Sequence, residues 1–118
     1  MMSREIRIKR VYEAADSSDG FRVLVDRLWP RGISRQKAAV ALWEKELAPS
    51  NELRKWFGHD PSRFETFAAR YREELRDNPA LAPFADQLRS YDVITLLFGA
   101  ADQVHNNAVV LRDVLMGK

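Results

Sequence analysis

The chain has 118 residues, 46% hydrophobic and 31% charged, which is enough for one domain with its own hydrophobic core. It contains no cysteine and two histidines, which excludes a disulfide framework, a thiol nucleophile and a zinc site with cysteine ligands. No apolar run approaches the ~18–20 residues that cross a bilayer, and the charged start differs from a signal peptide, so we expect a cytoplasmic protein. No cofactor is predicted.

The net charge is +2, but the positive charge is concentrated in the first third of the chain. Residues 1–40 hold nine Lys and Arg against five Asp and Glu, whereas the remaining residues hold ten against twelve. This excess favours phosphate-bearing partners, although a dedicated DNA-binding protein neutralises several phosphates. Nucleic-acid or protein binding through this basic third is therefore the alternative hypothesis, and an ordinary solvated surface is the simpler interpretation.

Strand and helix patterns alternate along the chain. Alternating apolar and charged residues, and runs rich in β-branched residues, indicate strands, whereas apolar residues three and four apart indicate helices. The predicted strands are 5–12, 21–28, 41–47 (where a helix is the alternative) and 92–99; the predicted helices are a short one after Ser34, then 50–58, 61–77, 79–88 and 104–116. This order predicts an α/β fold over residues 1–118: a single three-layer domain with a small, mainly parallel sheet flanked by helices.

The first candidate segment follows the second strand, at the edge where ligands bind in parallel sheets. Arg27 and Arg31 offer forked donors suited to carboxylate or phosphate, and Gly32 permits close approach of the backbone. Asp26 would orient an arginine or act as a base. The structural alternative is an ion pair of Asp26 with Arg27 or Arg31, because a buried charge needs a partner.

The second candidate segment is the turn between two predicted helices, over residues 56–61. His59 lies in this turn, where its imidazole can titrate or donate a hydrogen bond. Asp60 is expected to cap the following helix, and Trp56 is either a ligand contact or part of the core. A structural hydrogen bond is the alternative role for His59.

The third candidate segment connects the most apolar strand to the last helix. Asp102 is predicted to cap that helix, which would bury Val104. His105 and Asn106 would then lie in its first turn, where unpaired N–H groups attract anions. The structural alternative is a cap followed by solvated polar residues.

Other chemistries lack their usual signatures. The sequence has no Walker-type glycine run, no GxGxxG, no HExxH and no GxSxG. No metal site is predicted, because nothing in the spacing of Asp26, His59, Asp102 and His105 demands one.

At these three segments the sequence resembles the YeaO-like proteins, a bacterial group within a domain-of-unknown-function family (DUF488). The resemblance covers nearly the whole chain and rests on VYEAADSSDGFRVLVDRLWPRG, ELAPSNELRKWFGHDPSRFETFAARY and DQVHNNAVVL. It implies a compact α/β fold of parallel strands flanked by helices, and it implies no established reaction. The chain departs from the family pattern at Ala101, where an arginine is usual, and at Val104, where an acid is common.

The leading hypothesis is a pocket for a small anionic ligand, such as a nucleotide or a sugar phosphate, at the carboxyl ends of the strands. It requires arginines from the early turn and a histidine from the late one to converge on one cavity; otherwise the polar residues merely hold the sheet edge together. The sequence decides neither whether the protein is an enzyme nor its oligomeric state. The predicted catalytic residues are Asp26, His59 and His105, and the predicted ligand-binding residues are Arg27, Trp29, Arg31, Gly32, Trp56, Asp102 and Asn106.

Overall fold

A computed structural model describes residues 4–118, in which four strands form one all-parallel sheet in the order β1-β4-β2-β3. The strands are β1 (Glu5–Arg10), β2 (Phe21–Leu24), β3 (Leu42–Trp43) and β4 (Val93–Phe98); the α-helices are α1 (Arg35–Ala38), α2 (Asn51–Phe57), α3 (Phe64–Arg76), α4 (Leu81–Gln87) and α5 (Asn107–Leu115). Single 3-10 turns occupy Ser17–Asp19, Lys45–Leu47, Pro61–Arg63 and Leu88–Ser90. The predicted α/β class, with a small parallel sheet in a three-layer arrangement, is confirmed.

The central strand β4 separates two cores, because its side chains alternate between the faces of the sheet. Ile94, Leu96 and Phe98 face the larger core, whereas Leu97 faces the smaller one. Helices α2 to α5 cover the larger core with buried side chains that include Leu53, Phe57, Phe67, Tyr71, Leu75, Phe84, Ala108 and Leu111. The smaller core is formed by the buried side chains of Val11, Leu24, Ala38 and Leu97, and the partly buried Trp29, Ile33, Val40 and Trp43 pack against it.

Two predicted helix starts are confirmed by their caps. Ser34 Oγ accepts a hydrogen bond from Lys37 N, and Ser50 Oγ accepts one from Leu53 N, so each serine satisfies an N–H of a first turn. Helix α2 then ends at Gly58, whose positive φ of 53° glycine adopts without steric cost.

The second and third strands are shorter than predicted. β2 ends at Leu24 rather than near 28, and the segment predicted as a strand at 41–47 forms only a two-residue strand followed by a 3-10 turn. The two strands limit each other, since Glu44 N donates to Leu24 O at the last point of their pairing. β1 likewise ends at Arg10.

The predicted start of the last helix is wrong. Asn106 caps α5 through Val109 N, whereas Asp102 closes a separate turn four residues earlier. His105 and Asn106 therefore precede the helix, and Val104, predicted to be buried, is 64% exposed. Helix α4 similarly begins at Leu81, two residues later than predicted.

None of the helices within residues 4–118 has the length and apolar character needed to cross a membrane.

Candidate functional site

A cavity of about 500 Å³ lies at the carboxyl ends of β2 and β4. Its wall is built from the segment after β2, from α2 and the turn that follows it, and from residues 99–107 between β4 and α5. The polar lining residues are Asp26, Arg27, Arg54, His59, Asp102, Asn106 and Asn107; the apolar ones are Leu28, Trp29, Pro30, Pro49, Phe57, Phe67, Gly99, Ala100 and Ala101.

Asp26 joins the end of β2 to the residues that follow β4. Gly99 N donates to its Oδ2 at 2.8 Å, and Asn107 Nδ2 donates to its Oδ1 at 3.1 Å. Burial raises the pKa of the Asp26 carboxyl above its ordinary value, although these two hydrogen bonds and the nearby His59 and Arg54 oppose the rise. Asp26 therefore lies in the cavity wall with one hydrogen bond accepted by each oxygen.

The predicted ion pair between Asp26 and an early arginine is wrong. Arg27 instead donates from Nε to Pro49 O at 3.0 Å and from Nη2 to Ala48 O at 3.3 Å. Arg31 is exposed and does not line the cavity; its carbonyl oxygen accepts a hydrogen bond from the Tyr12 hydroxyl.

Arg54 brings a second guanidinium to the cavity from α2. Its Nη2 donates to Asn51 Oδ1 at 3.3 Å, but its buried Nε has no hydrogen-bond partner among residues 4–118. Arg54 lies three residues before Phe57, so the two share one side of the helix, and both line the cavity. The i, i+3 spacing from Arg54 to Phe57 is the one sequence signal for this residue.

His59 lies in the cavity wall with a backbone φ of +59°, immediately after Gly58. The left-handed region is sterically unfavourable for a residue with a Cβ atom, and histidine adopts it more often than most. The His59 ring lies 6.3 Å from that of Phe57, centroid to centroid. The end of α2 therefore directs an imidazole to the cavity at some backbone cost.

Asp102 organises the loop between β4 and α5. Its Oδ1 accepts hydrogen bonds from Val104 N at 2.9 Å and His105 N at 3.0 Å, and its Oδ2 lies 2.8 Å from His105 Nδ1. The backbone hydrogen bonds from His105 and Val104 lower the pKa of Asp102 to about 2. Asn106 is buried and donates from Nδ2 to Asp102 O at 2.9 Å, which ties the loop to the start of α5.

The structure brings part of the predicted site together. Asp26, Arg27, Trp29, His59, Asp102 and Asn106 line the cavity, whereas Arg31, Gly32, Trp56 and His105 do not. His105 lies behind Asp102 with its ring edge-on to Phe64, at 5.2 Å between centroids. Trp56 lies outside the cavity and is flanked by two arginines, with Arg70 Cζ 4.7 Å from the ring centroid. Arg54, Phe57 and Asn107 line the cavity without having been predicted.

Within the described part of the chain, no three His, Asp or Glu side chains converge as a metal ion would require.

A parallel α/β domain with a cavity of polar and apolar residues at its carboxyl edge is the class that this geometry defines. The chain belongs to the DUF488 family, because the sequence model described as the inactive DUF488-N3 subclade matches residues 5–118. It is 45% identical over 113 residues to an uncharacterized protein of Mycobacterium bovis and, equally, to one of Mycobacterium tuberculosis, which covers 96% of this chain and 95% of each relative.

The chain is also 42% identical over 110 residues to the uncharacterized protein YeaO of Escherichia coli, covering 93% of this chain and 96% of YeaO. The predicted membership of the YeaO-like family is therefore confirmed. No solved structure matches the chain.

Proposed function

We propose that this protein binds a small anionic ligand, of the phosphate or nucleotide type, in the cavity between α2 and the loop 99–107, without transforming it. The observation that carries the proposal is Arg54, which lines the cavity with a buried Nε that has no acceptor among residues 4–118. Arg27 lines the same cavity and keeps donors beyond those given to Ala48 and Pro49.

A buried N–H group without an acceptor is unfavourable by about 1–3 kcal/mol, so an anion that accepts a hydrogen bond from Arg54 Nε regains that free energy. Carboxylate and phosphate fit best, since their oxygens match the fork of an arginine. Within residues 4–118, Arg54 forms no salt bridge that a ligand would first have to break.

Binding has more support than catalysis. Asp26, the predicted base, already accepts a hydrogen bond on each oxygen, and His105, a predicted proton-transfer group, does not line the cavity. His59 lines the cavity, but within residues 4–118 its ring forms no hydrogen bond or salt bridge with an acid or a base. The description of the matching subclade as inactive agrees with a binding role.

Nucleic-acid binding through the basic third of the chain has less support. Arg22 and Lys9 both pair with Asp19, and Arg7 pairs with Glu5, so three of the nine basic side chains in this third of the chain are already held by acidic ones. A salt-sensitive affinity for DNA or RNA at low ionic strength would restore this alternative.

The test is a thermal-shift screen of the full chain against nucleoside monophosphates and sugar phosphates, with Arg54→Met as the diagnostic variant. A ligand at 100 times its Kd stabilises the wild type by about 2.7 kcal/mol, which raises Tm by several degrees. We expect Arg54→Met to abolish this shift while keeping or raising the Tm of the free protein.

The matched control is Arg70→Met, which removes an exposed arginine outside the cavity and should leave the ligand shift unchanged. Equal ligand shifts in the wild type and Arg54→Met, or no shift with any anion, would contradict the proposal.

A further inference from the structure

The positive charges around the cavity lie on its α2 side. Arg54 belongs to α2 itself. Arg27 is held against the segment that leads into that helix, by hydrogen bonds to the carbonyl oxygens of Ala48 and Pro49. The two guanidinium groups therefore present their charge from the same side.

The negative charges lie on the side formed by the loop after β4. Asp26 is hydrogen-bonded to Gly99 and Asn107, at the two ends of this loop, and Asp102 lies between them. Asp26 and Arg54 both line the cavity and form no salt bridge with each other. Asp26 uses one acceptor position on each oxygen and keeps others for a ligand donor.

The surface between the charged sides is apolar and partly aromatic. Phe57 and Phe67, both in the lining, stack on each other at 4.3 Å with 19° between their planes and are 5% and 1% exposed, whereas the ring of Trp29, also in the lining, is half-buried. Leu28 completes this surface and is 59% exposed, so part of the apolar surface reaches solvent. Flat apolar surfaces of this kind pack well against planar rings.

We infer that the ligand is a dipolar molecule with one anionic group, a planar apolar body, and an N–H donor remote from the anion. This inference rests on the proposed function and names the class of ligand. The anion pairs with Arg54 and Arg27, the ring packs on the aromatic surface, and the N–H donates to Asp26.

The balance of charge and the size of the cavity exclude the obvious competitors. Two arginines facing two carboxylates give no net positive field, so a polyanion such as a nucleoside triphosphate meets repulsion from Asp26 and Asp102. A cavity of about 500 Å³ is within the usual range for organic ligands, and inorganic phosphate would leave most of it unfilled. Two sources share the remaining chemistry: nucleoside monophosphates with an amino-bearing base, and amino-aromatic acids.

The experiment is isothermal titration of the full chain with matched probes from each source. The first arm compares AMP with ribose 5-phosphate, ATP and inorganic phosphate; the second compares 4-aminobenzoate with benzoate. In at least one arm, we expect the probe with the amine (AMP or 4-aminobenzoate) to bind about tenfold or more tightly than the partner without it (ribose 5-phosphate or benzoate), because a charge-assisted hydrogen bond is then lost. ATP and phosphate should bind more weakly than AMP.

The role of the carboxylate side is tested by Asp26→Asn, with Asp102→Asn as a second variant in the exposed loop and Asp86→Asn as the surface control. The preference for the amine-bearing probe should fall severalfold in Asp26→Asn or Asp102→Asn and stay constant in Asp86→Asn. Two results would overturn this ligand class and leave anion binding intact. One is that phosphate or ATP binds as tightly as AMP; the other is that, in both arms, the amine-bearing probe and its partner bind with equal affinity. Absence of binding by every probe would overturn both the ligand class and the proposed function.

Discussion

Two groups of charged side chains in this protein are built in opposite ways. On the side of the sheet that carries the smaller core, Asp19 and Arg22 are each 5% exposed. Asp19 Oδ2 lies 2.5 Å from Arg22 Nη1 and 3.1 Å from Lys9 Nζ. At the carboxyl edge, Asp26 and Arg54 line the same cavity and form no salt bridge with each other. A closed ion cluster supports the fold, whereas separated charges leave room for a ligand.

The cluster around Asp19 is also saturated with hydrogen bonds. Arg22 donates to Ala38 O at 2.7 Å and to Ala39 O at 3.2 Å, which fixes the end of α1. Thr95 Oγ1 donates to Asp19 O at 2.7 Å and links the cluster to the central strand. Such saturation is what makes a buried ion pair tolerable, because each desolvated group has its partner.

The sharpest way to break the closed cluster is Arg22→Met. We expect a loss of about 3–5 kcal/mol in the free energy of unfolding, because Asp19 stays buried with only part of its compensation. Urea denaturation measures this loss. Arg89→Met, which removes an exposed arginine paired with Asp86, should change stability by less than about 1 kcal/mol; similar losses in the two variants would contradict the comparison.

The carboxyl edge responds to Asp26→Asn, with a smaller expected loss of about 1–2 kcal/mol at neutral pH. The carbonyl oxygen of an asparagine can accept only one of the two hydrogen bonds that Gly99 N and Asn107 Nδ2 donate to Asp26. The other N–H then faces the NH2 group of the asparagine, which cannot accept it. Relief of the buried charge offsets part of this cost.

The pH dependence separates the two regions, because the pKa of Asp26 is raised and that of Asp19 is lowered. Burial raises the pKa of Asp19, but hydrogen bonds from Asp16, Lys9 and Arg22 outweigh it, so the stability that Asp19 provides is present above its ordinary pKa and is lost as pH falls.

For Asp26 the sign is reversed: the stabilising contribution is present below its ordinary pKa and is lost as pH rises through the raised value. The destabilisation by Asp26→Asn should therefore grow between pH 7 and pH 4, measured by urea denaturation at each pH. A loss that shrinks as pH falls would show that burial does not disfavour the Asp26 charge.

Local signals in the sequence predicted most of the fold. The apolar run of β4 and the caps at Ser34 and Ser50 act within a few residues, so they are visible without a partner element. The length of β2 was overestimated because it depends on the two-residue strand β3, which pairs with it from a distance in sequence. The start of α5 was misplaced because Asp102 and Asn106 are both good caps, and Asp102 closes its own turn instead.

Most of the candidate site that was predicted follows a strand directly, and His59, in the turn after α2, is the exception. Asp26 and Arg27 follow β2, and Asp102 follows β4, so the rule for parallel sheets located them. Arg31 was predicted to join them, but it lies beyond Pro30, where the chain leaves the cavity and turns at Gly32, which has a φ of +75°. Arg54 was missed because its approach to the cavity depends on how α2 packs on the sheet, which its spacing to Phe57 alone does not reveal.

The smallest expected effect comes from relieving backbone strain at two positions, one in the cavity wall and one outside it. His59 and Ala39 are the two non-glycine residues with positive φ within residues 4–118, at 59° and 48°, and Ala39 ends α1 away from the cavity. Glycine relieves the left-handed backbone but loses more entropy on folding, so His59→Gly and Ala39→Gly should each raise the free energy of unfolding by up to about 1 kcal/mol.

The two variants should then differ in ligand binding. In the thermal-shift assay with AMP, His59→Gly should weaken the ligand-induced rise in Tm, because the imidazole leaves the cavity wall, whereas Ala39→Gly should retain the full rise. If both variants gain stability and both keep the full rise, the backbone strain at His59 has no part in binding, and the ligand contacts are confined to the arginines and carboxylates.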